Sequence, residues 1–147
     1  MKTKPAVLLV DDNPADIDLT SDALSRCSWP HEISAVQDGA EAIEFLNRRG
    51  KYANMHQTDL MILDLNLPRK NGRQVLAAVK SDPALKSTPI VVFSTSQARN
   101  DICQSFELGA NSYVSKPGTL QDFISTVISI GEYWFGCACL PSRRNHE

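Results

Sequence analysis

The sequence lacks most of the features that declare a function at first sight. No apolar run in its 147 residues approaches the roughly 20 that a membrane-spanning helix needs. No charged start leads into an apolar stretch, so no secretory leader and no membrane association are expected. There is no basic surplus. Fifteen Lys and Arg against 17 Asp and Glu leave a net charge of -2, and without a basic stripe nucleic acid is not an expected partner. The four cysteines, Cys27, Cys103, Cys137 and Cys139, follow neither a zinc pattern nor a redox CxxC. Reduced thiols in a cytoplasmic protein are the expectation. Internal repeats and low-complexity linkers are absent too.

What is present is an ordinary globular composition, 42% hydrophobic and 22% charged. The length suits one domain over residues 1–147. Its core is expected at about 5–130, with a C-terminal helical extension and tail over 131–147. Only Met1 to Lys4 and Pro141 to Glu147 read as loose ends.

The chain is organised around Thr58 to Gly72, TDLMILDLNLPRKNG. Leu60 to Leu63 is a short unbroken apolar run, and Leu67-Pro68 and Lys70-Asn71-Gly72 mark the loop after it. A buried strand with Asp64 at its C-terminal end is therefore expected. Four similar units flank it. Ala6 to Val10 is a strand ending in Asp11-Asp12, and Asn13-Pro14 then suits the cap and first position of a helix. That helix carries Ile17, Ala23, Leu24 and Cys27 inward. Ile33 to Val36 is a strand, and Ala40 to Arg49 is a helix with Ala42, Ile43 and Leu46 at helical spacing and Gly50 as its stop. A helix from about Gly72 buries Val75, Leu76 and Val79. Ile90 to Phe93 is a strand ending in Ser94, followed by a helix at about Gln97 to Leu108 with Ile102 and Phe106 on one face. Ser112 to Val114 is a strand before Ser115-Lys116-Pro117, and the last helix runs from about Leu120 to Phe135.

Five strand–helix units in strict alternation imply an α/β fold, a doubly wound five-stranded parallel sheet. Of the common strand orders we expect 2-1-3-4-5, the flavodoxin-like one, whose switch point lies between strands 1 and 3. Asp11, Asp12 and Asp64 end those two strands.

Alone, each residue has a plain reading. The aspartates can cap turns, Ser94 can be any strand-end hydroxyl, and Lys116 can be a solvated lysine. Together they describe a chemistry. Three gathered carboxylates stay ionised only if a cation joins them, and hard oxygen ligands on short loops suit Mg2+. A carboxylate can attack phosphorus. Phosphoryl transfer asks the protein mainly for positioning and charge neutralisation. Lys116 supplies positive charge, Ser94 supplies a hydroxyl, and the Lys116–Pro117 bond can be cis or trans.

In this order and spacing, Asp11-Asp12, Asp64, Ser94 and Lys116-Pro117 resemble the receiver domains of two-component response regulators, over nearly the whole chain. The resemblance implies that Asp64 accepts a phosphoryl group from a histidine kinase. It implies that Asp11, Asp12 and Asp64 ligate Mg2+ with the backbone carbonyl of Asn66, and that Lys116 contacts the phosphoryl group. Ser94 takes the switch position and Tyr113 the switch aromatic. The loop Asn47 to Asp59, the run DLNLPRKNGRQVL and the tail GEYWFGCACLP are similar to the small receivers paired with bacterial phytochromes, which implies a phytochrome kinase as partner.

Signalling is expected to follow from a phosphorylation-driven shift in which Ser94 moves towards the phosphoryl group and Tyr113 turns inward. Tyr133, Trp134 and Phe135 are three consecutive aromatics at a helix end. One helix cannot bury all three, so a homodimer through this region is expected, against a helix end folded back on its own sheet. The chain's own chemistry is expected to stop at self-phosphorylation from a donor and self-dephosphorylation. A haloacid-dehalogenase-type phosphatase would need an acid where Asn66 stands. A flavodoxin-like binding module would need a glycine-rich loop where Asp11-Asp12 stands. No DNA-binding output domain is expected after the fifth helix.

Overall fold

A computed structural model describes residues 4–141. The expected loose ends fall outside these residues, but for Lys4 and Pro141. The strands are β1 (Ala6–Val10), β2 (Glu32–Val36), β3 (Leu60–Leu63), β4 (Ile90–Ser94) and β5 (Ser112–Ser115). The helices are α1 (Pro14–Ser25), α2 (Gly39–Leu46), α3 (Gly72–Ser81), α4 (Arg99–Glu107) and α5 (Leu120–Gly131). All strand pairs are parallel and their order is β2-β1-β3-β4-β5, as expected.

The apolar runs in β1, β3 and β4 are continuous because both faces of those strands are covered. Alternate side chains then feed two separate layers. Leu8, Val10, Met61, Leu63, Ile90 and Val92 meet α2 and α3. Val7, Leu9, Leu60, Ile62, Val91 and Phe93 meet α1 and α5. The edge strands β2 and β5 are mostly half-buried.

Local signals set the helix starts. The Asn13 side chain accepts from the N–H groups of Ala15 and Asp16, and Asp38 accepts from that of Glu41. Asn71 and Gln74 form a reciprocal capping box on α3. The Gly72 that opens α3 has a steric reason: a Cβ there would stand 2.4 Å from the Asp64 carbonyl oxygen. The helix can close on β3 only with glycine at this point.

Three expectations need correction. α2 ends at Leu46 and not at Arg49, because Arg48 takes a left-handed backbone (φ 53°). A 3-10 turn, Gly50–Tyr52, follows and lays Tyr52 against Phe45 with ring centroids 4.9 Å apart. In α4, Phe106 is 50% exposed and Ser105 is the buried residue, its hydroxyl donating to the Asp101 carbonyl. This short helix covers only the sheet edge, and its inward stripe is one residue away from the expected one. Finally, α5 stops at Gly131, and Glu132–Cys137 forms a π-helical turn closed by the Ala138 N–H to the Tyr133 carbonyl at 2.7 Å. The wider turn lets Trp134 and Phe135 join the layer between the sheet and α1.

Candidate functional site

The two parallel ladders beside β1 carry the site. The Asp64 N–H donates to the Val10 carbonyl at 2.9 Å, and the Asp11 N–H to the Val36 carbonyl at 3.2 Å. These bonds continue the sheet one step past the strands and set Asp11 and Asp64 side by side. Each aspartate is then oriented by its own loop. Asp11 Oδ1 accepts from the Asn13 N–H at 3.0 Å, and Asp64 Oδ1 from the Asn66 N–H at 3.1 Å. Their Oδ2 atoms both receive hydrogen bonds from Lys116 Nζ, at 2.6 Å for Asp11 and 2.9 Å for Asp64. Each carboxylate therefore spends one oxygen on an Asx turn and the other on the same ammonium.

Asp11, Asp64 and Lys116 are buried, and Asp12 is exposed beside them. Burial raises the Asp11 pKa above the ordinary carboxylate value, against the opposing pull of its hydrogen bond from Lys116. Burial alone would lower the Lys116 pKa; hydrogen bonds to Asp11, Asp16 and Asp64 more than offset it and hold the ammonium well above the ordinary value. The lysine is thus a fixed cation. It also lies over the Phe93 ring, 5.8 Å from the centroid.

Asp11, Asp12 and Asp64 each offer a carboxylate oxygen, all within 4.8 Å of one another. Such an all-oxygen, multiply charged set suits a hard divalent cation. Asn66 sits on the next loop, exposed.

Ser94 ends β4 fully buried, and its Oγ accepts from the Ser96 N–H at 3.3 Å. The Ser94 carbonyl accepts the Lys116 N–H at 2.8 Å across the β4–β5 ladder. Tyr113 on β5 is half-buried, and its hydroxyl donates to the Ser96 carbonyl at 2.9 Å. The Tyr113 hydroxyl is thus tied to the loop after Ser94. The Lys116–Pro117 peptide is trans.

The aromatic tail lies on another part of the molecule and divides. Tyr133 is 54% exposed and meets Trp134 edge-on. Phe135 stacks on His31 at 4.8 Å, and Trp134 is half-buried. Two of the three aromatics therefore fold back on their own domain, and Tyr133 remains at the surface. No helix among the described residues is long and apolar enough to cross a membrane.

Two parts of this region were not foreseen. Asp16 Oδ2 lies 2.9 Å from Lys116 Nζ. Its signal was available, since a helix capped at Asn13 puts Asp16 in the first turn, close to the end of β1. The second is a polar chain from Arg73 at the start of α3 to Asp101 in α4 and on to the Ser96 hydroxyl. Arg73 and Asp101 are 28 residues apart, and no local pattern pairs them.

The model of the response regulator receiver domain matches residues 7–128. Response regulator Rcp1 of Synechocystis is 40% identical over 136 residues, 92% of this chain and 92% of that protein. The crystal structure of the phosphorylated cyanobacterial phytochrome response regulator RcpA has a TM-score of 0.91 at 46% identity, over 95% of this chain and all of that one. The Mn2+-bound form of Rcp1 has a TM-score of 0.90 at 39% identity, over 94% of this chain and 99% of that one.

Proposed function

The chain belongs to the response regulator receiver family, and on that premise we propose that its phosphoryl acceptor is Asp64. A carboxylate oxygen of Asp64 attacks the phosphorus of a phosphohistidine, the P–N bond breaks, and the imidazole of the kinase leaves with the bonding pair. The observation that carries this is the strand-end arrangement itself: Asp11, Asp12 and Asp64 within 4.8 Å, with Lys116 bound to two of them.

Mg2+ is the cation we assign to Asp11, Asp12 and Asp64 with the Asn66 carbonyl, and it supplies charge neutralisation to the transferring group. Lys116 provides the second positive charge, its ammonium favoured by hydrogen bonds to Asp11, Asp16 and Asp64. Its buried ammonium, 2.9 Å from Asp64 Oδ2, would receive the oxygens of a phosphoryl group carried on Asp64. The chain's own chemistry is limited to taking the phosphoryl group and losing it by hydrolysis.

The readout is a population shift. Ser94 donates its hydroxyl to the phosphoryl group and gives up its bond from the Ser96 N–H. The loop after β4 follows, and Tyr113 repacks with it. A Ser94→Ala chain should still be phosphorylated but couple poorly to its target; full coupling in that variant would sink the switch role.

A phytochrome is the expected kinase, supported by the phytochrome regulators among the similar structures. The setting is cytoplasmic. Exposed Tyr133 supports a homodimer through α5 and the turn after it. Sedimentation of a monomer at high concentration, with and without phosphorylation, would remove that part.

The deciding experiment is intact-mass analysis after incubation with a small acyl phosphate, with and without Mg2+. One Mg2+-dependent phosphoryl adduct is expected, absent in Asp64→Asn. An adduct that persists in Asp64→Asn would place the acceptor elsewhere.

A further inference from the structure

The site holds one carboxylate that neither the metal trio nor the phosphoryl acceptor accounts for. Asp16 Oδ2 is 2.9 Å from Lys116 Nζ, and Asp16 is not one of the three residues whose oxygens gather within 4.8 Å. An ammonium has three protons to donate. Those of Lys116 go to Asp11, Asp64 and Asp16, and its side chain is only 4% exposed. Asp16 is not needed as the helix cap, since the Asn13 side chain already accepts from the N–H groups of Ala15 and Asp16. Its place in the first turn of α1 favours a carboxylate there.

The consequence follows from competition. A divalent cation and the Lys116 ammonium draw on the carboxylates of the same two residues, Asp11 and Asp64. A buried ammonium with no other anionic partner yields them only by becoming an unpaired buried charge, which is strongly unfavourable. An ammonium with a third carboxylate keeps a partner when they are withdrawn. The geometry points to Asp16 as a positioning residue for Lys116: it retains the ammonium beside the site while Asp11 and Asp64 turn to a divalent cation and to the phosphoryl group. The phosphoryl half of this role rests on the phosphoryl transfer proposed above, and the cation half on the Mg2+ site assigned there.

The test is a double-mutant cycle read by calorimetric titration of the full chain with Mg2+ alone. The four proteins are the wild type, Asp16→Ala, Lys116→Ala and the double variant. Asp16→Ala is expected to weaken Mg2+ binding about five-fold when Lys116 is present and less than about two-fold when it is not, a coupling of the size contacting charged groups show. A merely structural role, or charge acting at a distance, would weaken binding alike in both backgrounds. That result, or unchanged affinity in Asp16→Ala, overturns the proposal. Thermal melts identify a variant that has not folded, and Asp16→Asn then replaces Asp16→Ala in the same cycle. If the wild type forms no adduct with an acyl phosphate, the phosphoryl-transfer reading fails, while the Mg2+ cycle still decides the role of Asp16.

Discussion

The α1–α5 side of the sheet and the α4–β5 edge are held by different kinds of contact. On the first, Leu24, Phe123, Val127 and Ile130 are buried in one apolar layer. The fit leaves no slack: a Cβ on Gly131 would stand 2.4 Å from Cys27 Sγ and 3.1 Å from Leu24 Cδ2. At the second, α4 buries one residue, a serine, and β5 has no fully buried position. Leu108, Tyr113 and Val114 pack there only half-buried, and polar ties add to them: Arg73 to Asp101, Asp101 to Ser96, and Tyr113 to the Ser96 carbonyl. Apolar interlocking is lost or kept as a whole, whereas hydrogen bonds can be exchanged for others at small net cost. Ser94 and Tyr113, the residues proposed as the switch, lie on the side that can rearrange cheaply.

The largest expected effect tests the packed side. Leu24→Ala should cost about 3 kcal/mol of unfolding free energy, as truncations of fully buried leucines do. Denaturant titration checks it, and a cost below that of any polar tie at the other edge would break the comparison. Next comes Arg73→Ala, which leaves Asp101 with the Ser96 hydroxyl alone and should cost about 1.5 kcal/mol, the range for a hydrogen bond to a charged group. Its distinguishing sign is faster amide hydrogen exchange in α4 with α1 and α5 unchanged.

Asp38 serves as a control away from both regions. Burial raises its pKa, but hydrogen bonds from the Glu41 N–H and the Arg69 guanidinium outweigh that and leave it below the ordinary value. A depressed folded-state pKa stabilises above the unfolded value and is lost as pH falls through the folded one. Asp38→Ala should therefore cost about 1 kcal/mol at neutral pH, mostly as a lost helix cap. The charge-dependent part of that cost should begin to fade below about pH 4, where the unfolded carboxylate takes up its proton first, and be gone once the folded one is protonated too. The smallest expected effect is at Phe106: half-exposed on α4, its truncation to Ala should move stability by no more than about 0.5 kcal/mol.

Much of the fold is legible in the sequence. Five strand–helix units in alternation point to the observed strand order, and a parallel sheet then brings the ends of its strands, with Asp11-Asp12, Asp64, Ser94 and Lys116, to one edge. What stayed hidden depends on contacts between distant elements. Nothing near Asp101 names Arg73 as its partner. The face of α4 was misjudged because a helix covering only a sheet edge need not bury its most apolar stripe. The π turn depends on how Trp134 and Phe135 settle against α1 and His31, which helical periodicity does not encode.

The bond from the Lys116 N–H to the Ser94 carbonyl has a consequence for redesign. The lysine proposed to meet the phosphoryl group and the serine proposed as the switch are joined by one backbone hydrogen bond between neighbouring strands. A transplant from another protein that includes the end of β4 brings a foreign backbone at position 94, and with it a new resting place for the lysine. The two positions are best exchanged as one cassette that includes the end of β5. Libraries that vary them separately will meet strong epistasis.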